Sequence, residues 1–122
     1  MIYGVLGDNY QTLGDYKNCF KSYEKGMKLD TTNAVIYNNY AYFLSLRNER
    51  LDKALAMTEK AIRLSPNNPT YLDTYAWVLY RLGRYDEAKK TMQQALSLDR
   101  SQSPDLQLHY GDILAALGGF EL

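Results

Sequence analysis

Residues 71–98, YLDTYAWVLYRLGRYDEAKKTMQQALSL, decide the fold. Leu72, Tyr75, Ala76 and Leu79 fall at i, i+3, i+4 and i+7, which is one apolar face of an α-helix. Tyr85, Ala88, Met92, Ala95 and Leu96 form a similar stripe further along. Between the stripes stands Leu82-Gly83-Arg84, where Gly83 tolerates the left-handed conformation that ends a helix. Asp86 and Glu87 then place negative charge in the first turn of the next helix, where the helix dipole favours it. Two helices joined this closely pack antiparallel, and the small side chains of Ala76 and Ala88 let the backbones approach where they cross. The stretch predicts a helical hairpin.

The hairpin recurs at a fixed period. Gly7, Ala41, Ala76 and Gly111 are spaced 34, 35 and 35 residues apart, and a large residue precedes each: Leu6, Tyr40, Tyr75 and Tyr110. Tyr10, Leu44, Leu79 and Leu114 follow three residues after each small one. Two further small series, Cys19/Ala54/Ala88 and Gly26/Ala61/Ala95, repeat with steps of 34 or 35. Interlocking series with one period predict a repeat protein. Seven helices are expected, over about 2–13, 16–29, 34–47, 51–64, 69–82, 85–98 and 104–117. Asp30-Thr31-Thr32-Asn33 and Ser65-Pro66-Asn67-Asn68-Pro69 carry the capping and turn residues between hairpins. A lone hairpin cannot bury its apolar faces, so successive ones stack into a superhelix with a concave and a convex wall. The fold class is all-α, a single domain of about three and a half repeats over 1–33, 34–68, 69–103 and 104–122.

Composition removes several function classes. Lys+Arg 14 balances Asp+Glu 14, so no global charge draws the chain to nucleic acid or an anionic membrane. Twelve tyrosines suit a thin core in which the ring packs and the hydroxyl reaches water. One cysteine allows no internal disulfide and no multi-cysteine metal site. No apolar run approaches the ~18 residues of a membrane span, and the start, MIYGVLGDNYQ, lacks a signal-peptide pattern, so a soluble chain is expected. Catalytic, cofactor and metal sites are all expected to be absent. Cys19 stands where other repeats carry alanine and reads as a buried packing residue. His109 reads as a surface histidine, with Asp112 the carboxylate within reach on its own helix. The glycines at 83 and at 118–119 end helices and are not followed by the Lys-Ser or Lys-Thr of a phosphate loop. Lys17, Lys21, Lys25 and Lys28 make a basic stripe that reads as a solvated convex face, with Glu24 among them.

These motifs resemble the tetratricopeptide repeat (TPR), a 34-residue helix–turn–helix with W-x2-L-G-x2-Y, A-x3-F, a further alanine and a proline. Tyr3, Leu6, Gly7, Tyr10, Cys19, Tyr23 and Gly26 carry the first copy. Tyr37, Tyr40, Ala41, Leu44, Ala54, Thr58, Ala61 and Pro66 carry the second. Leu72, Tyr75, Ala76, Leu79, Ala88, Met92 and Ala95 carry the third, with Arg100 in place of the proline. PDLQLHYGDILAALGGFEL matches only a first helix, and the chain reads as a piece of a longer protein. The second copy holds one extra residue, most simply in the turn 47–50, which lacks the glycine of Gly14 and Gly83. A third-repeat insertion falls elsewhere, at 100–103, and the balanced charge speaks against the RNA-binding pentatricopeptide relative.

The resemblance implies that the first helix of each hairpin lines a concave groove. Carried over, the lining is Gly4, Asp8, Gln11 and Thr12, then Val35, Asn38, Tyr42, Ser45 and Leu46. Thr70, Asp73, Trp77, Tyr80 and Arg81 follow, then Asp105, Leu108, Asp112, Ala115 and Ala116. Helix geometry independently turns Asp73, Trp77 and Tyr80–Arg81 away from the Leu72/Tyr75/Ala76/Leu79 stripe. The candidate partner-binding set is therefore Asn38, Tyr42, Asp73, Trp77, Tyr80, Arg81 and Asp112. The family's two-carboxylate clamp needs lysine and asparagine where this chain has Gly4 and Asp8, so an acidic tail is not the implied ligand. The expected function is binding a protein or an extended neutral or basic peptide, with no nucleic acid and no membrane insertion. Rival readings are a scaffold that forms homo-oligomers through the C-terminal helix, and an accessory domain of a larger enzyme. The style of 71–88 resembles multi-repeat bacterial TPR proteins of the cytoplasm, periplasm or cell envelope.

Overall fold

The helical periods are realised nearly residue for residue. The computed structural model describes Gly7, Gly14 and residues 16–118. Among these are α1 (Tyr16–Leu29), α2 (Ala34–Leu46), α3 (Leu51–Leu64), α4 (Pro69–Arg81), α5 (Tyr85–Leu98) and α6 (Pro104–Ala116). No strand occurs among the described residues. The expected helix over 2–13 lies outside them, save for Gly7, which is helical.

Local chemistry sets the helix ends. Asn33 Oδ1 accepts the Ile36 N–H at 3.4 Å, and Asn68 Oδ1 accepts those of Thr70 and Tyr71 at 2.9 and 3.3 Å. Each thereby satisfies donors that have no partner within the helix, and Pro69 follows where no N–H is needed. At the other end of α4, Gly83 sits at φ 82° while Arg84 N–H bonds Leu79 C=O at 2.9 Å and Gly83 N–H bonds Tyr80 C=O at 3.0 Å. The end of α2 repeats this pattern without glycine. Asn48 takes φ 55°, Glu49 N–H reaches Leu44 C=O at 3.0 Å and Asn48 N–H reaches Ser45 C=O at 3.1 Å. Asparagine tolerates the left-handed region, so it replaces the missing glycine. Arg50 then also turns left-handed, φ 47°, before α3 begins.

The small positions do what their spacing implies. Cys19, Ala41, Ala54, Ala61, Ala76, Ala88 and Ala95 are all fully buried. Helices approach closely there, and larger side chains fill the space between, led by Tyr23, Tyr40, Ile36, Leu44, Leu79 and Met92. Burying each such side chain contributes roughly 1.5–3 kcal/mol. One cluster joins α1, α2 and α3 to Val78 of α4; the other joins α4, α5 and α6. Leu55 packs against both, so the core is continuous along the stack. Gly111 departs from its series: it is exposed, with no atom within 4 Å of where a Cβ would stand. No helix among the described residues is long and apolar enough to cross a membrane.

Candidate functional site

The first helices α2, α4 and α6 bring Tyr42, Trp77 and His109 together around Asp73. Nδ1 of His109 lies 2.8 Å from Asp73 Oδ1, and both residues are buried. An ionised carboxylate only accepts, so Nδ1–H is the donor and the pair ties α6 to α4. The Trp77 indole stacks with the His109 imidazole at 4.3 Å and 27°, and with the Tyr80 ring at 4.8 Å and 22°. Tyr85 of α5 extends the line, tilted against Tyr80 at 5.6 Å, and Tyr42 approaches His109 at 6.1 Å. The result is a continuous aromatic run across four helices.

Electrostatics keep the Tyr42 hydroxyl a donor. Partial burial, then the negative charges of Asp73 and Asp105, push its pKa above the ordinary value. Arg81 Nε donates to the Ser45 carbonyl at 3.1 Å, and Ser45 Oγ donates to the Tyr42 carbonyl at 2.5 Å. A cation at the carbonyl end of α2 also suits the helix dipole. Beside Arg81 opens a cavity of about 220 Å³ lined by Asn48, Tyr80, Arg81 and Tyr85.

Three sequence expectations change. His109 is buried, not on the surface, and its partner is Asp73 of the preceding repeat, not Asp112 of its own helix. Asp73, expected to face the groove, turns inward onto that imidazole. Asn38 is buried as well: its Nδ2 donates to Asn39 Oδ1 at 3.3 Å, while its Oδ1 has no hydrogen-bond partner among the described residues. Trp77 Nε1 is likewise buried without such a partner. Tyr42, Trp77 and Tyr80 are half-buried and Arg81 is exposed. Asp112 stands half-buried on α6 and takes part in none of these contacts. Gly4, Asp8, Gln11 and Thr12 lie outside the described residues. The repeat register alone does not point to His109: one period of 35 after Asp73 falls on Leu108, and His109 stands one residue beyond it.

Comparisons with known proteins agree with this architecture. Family profiles described as tetratricopeptide repeat match residues 2–33 and 32–101. The Protein STIP1 homolog of Dictyostelium discoideum is 36% identical over 87 residues, covering 70% of this chain and 15% of that protein. A TPR repeat-containing protein of Pseudomonas aeruginosa is 30% identical over 104 residues, covering 82% of this chain and 17% of its own length. The chain thus spans about one sixth of either relative. The solved first TPR of Spaghetti (RPAP3), bound to the HSP90 peptide SRMEEVD, superposes with a TM-score of 0.84 at 23% identity, covering 96% of this chain and 91% of the other. Repeat period, helical hairpins, buried small positions and matched profiles agree: the chain belongs to the tetratricopeptide repeat family.

Proposed function

We propose that this chain is a protein-interaction module that receives an extended peptide segment along the aromatic run, with no catalysis of its own. The observation that carries it is the aromatic line Trp77–Tyr80–Tyr85, half-buried to exposed, with Trp77 stacked on the buried His109 and Tyr42 beside it. Such rings give large contact area at little entropic cost, and aromatic residues with arginine are the usual anchors of interfaces. Tyr42, Trp77, Tyr80, Arg81 and Asp112 make the contact surface in this reading. Asn38 and Asp73 support it from beneath, Asp73 by fixing the imidazole on which Trp77 rests.

The peptide held by the Spaghetti (RPAP3) domain supports the class of function. Its acidic sequence is not the ligand proposed here. Asp105 and Asp112 flank the run, and Gly4 and Asp8 stand where a carboxylate clamp needs lysine and asparagine. A neutral or basic segment fits that charge. The relatives come from a bacterium and a eukaryote, so the reading is not tied to a bacterial envelope.

Selection from a random peptide library on the immobilised chain, followed by NMR titration of the selected peptide, tests this. Shifts should centre on Tyr42, Trp77, Tyr80 and Arg81. An acidic peptide that shifts Trp77 and Tyr42, or a library that yields no peptide shifting the aromatic run, would overturn it.

One observation favours a second reading, assembly through α6. Leu108 is 64% exposed, and Gly111 and Ala115, both exposed, continue its face at helical spacing. A small-residue face bordered by leucine suits packing against another helix.

A further inference from the structure

The lysine stripe of α1 does more than solvate a face. Its Lys21, Lys25 and Lys28 line a cavity of about 390 Å³, with Arg50 entering from the start of α3. Phe20 and the buried Tyr40 supply aromatic walls, tilted against one another at 5.7 Å. The one carboxylate among the lining residues, Glu24, is already engaged: Tyr40 donates to its Oε1 at 3.0 Å and Lys53 Nζ pairs with the same oxygen. Lys21, Lys28 and Arg50 therefore bring positive charge to a partly apolar cavity, and among the described residues that line it Glu24 is the one anion, neutralised within the fold.

The position of Arg50 follows from a departure in the sequence. The turn between α2 and α3 is one residue longer than that between α4 and α5, and the added length ends at Arg50 in the left-handed region. Its guanidinium lies 5.4 Å from the Phe20 ring centroid. The equivalent Arg84 has φ −90° and pairs with Glu87 of its own helix, so the third repeat spends its arginine locally. Tyr40 and Tyr42 are two residues apart on α2 and so face nearly opposite ways, which separates this cavity from the aromatic run.

We propose that the cavity is a second interaction site, one that takes an acidic peptide segment by seating an apolar side chain on Phe20, which the buried Tyr40 backs, while neighbouring carboxylates meet Lys21, Lys28 and Arg50. The spacing suits it. Lys21 to Lys28 spans about 10 Å of helix axis, and alternate residues of an extended peptide lie about 6.6 Å apart, so two or three carboxylates reach successive lysines. Nucleic acid fits less well in a chain whose Lys+Arg 14 balances Asp+Glu 14.

Three probes test it by fluorescence anisotropy at low salt: a capped peptide of four glutamates around one leucine, its glutamine counterpart, and a ten-nucleotide oligouridine. The glutamate peptide should bind at least about tenfold more tightly than the other two, and Lys21→Gln/Lys25→Gln/Lys28→Gln should weaken it about tenfold or more. These side chains are exposed on a helix, so the variant keeps its fold. Amide shifts on titration should map to Phe20, Lys21, Lys25 and Arg50 and leave Trp77 in place. Equal binding of the glutamine peptide, preference for oligouridine, or undiminished binding by the triple variant would each overturn the proposal.

Discussion

The His109 imidazole and the Asp73 carboxylate, from first helices of successive repeats, form a buried pair 2.8 Å apart on which the Trp77 ring rests. A buried polar group is costly to strand. His109→Ala should destabilise the fold by about 1–3 kcal/mol, because Asp73 loses its partner. Replacing both residues by leucine should cost less than the sum of the two single changes. Urea titrations of the four species give the coupling; additive effects would show that the pair contributes nothing beyond its separate contacts. Trp77 is the only tryptophan, so its fluorescence reports the loss of the stacked imidazole directly.

Two glycines of one series should respond oppositely to alanine. A Cβ on Gly7 would stand 2.6 Å from the ring carbons of the fully buried Tyr23, so Gly7→Ala should cost about 1–3 kcal/mol by overpacking. Gly111 is helical with open space around it, and Gly111→Ala should stabilise by roughly 0.5–1 kcal/mol. Thermal melts read both; a stabilised Gly7→Ala would refute the packing described for α1.

Glu24 predicts an acid dependence. Partial burial works to raise its pKa, but hydrogen bonds from Lys53 and Tyr40 and the charges of Lys53 and Arg50 outweigh this and hold it below the ordinary 4.5. A carboxylate with a depressed folded pKa contributes stability that is present above its unfolded pKa and lost as pH falls through the folded one. The stability difference between wild type and Glu24→Gln should therefore be constant above about pH 5 and shrink as the pH falls below 4.5. A difference that grows in acid would reverse the assignment.

If α6 mediates assembly, sedimentation of the 122-residue chain should show a concentration-dependent dimer that Leu108→Glu abolishes. A monomer across the accessible range would rule out assembly through α6.

The hairpins were legible because their signals are local. Gly83, Asn33 and Asn68 mark helix ends, and Ala41, Ala76, Ala54 and Ala88 mark crossings at a period no single helix needs. Asn48 shows where the local rule was too narrow: the turn lacked glycine, and asparagine served in its place. The groove was less legible. Whether Asp73 meets solvent or His109 depends on the angle between successive repeats, which no residue of either helix encodes alone. Arg50 likewise reaches Phe20 only because one added turn residue redirects the entry to α3. Periodicity predicts which face of a helix is apolar; it does not predict what a neighbouring repeat lays over the polar one.

The most direct test of the groove is the affinity of a library-selected peptide for Trp77→Ala and Tyr42→Ala, measured where circular dichroism shows each variant folded. Each should bind more weakly by about 1–3 kcal/mol, while Lys21→Gln/Lys25→Gln/Lys28→Gln binds that peptide like wild type. As a folding control, Leu79→Ala should lose roughly 2–5 kcal/mol of stability. Normal binding by both aromatic variants, together with loss of binding in the lysine variant, would contradict the groove as the site.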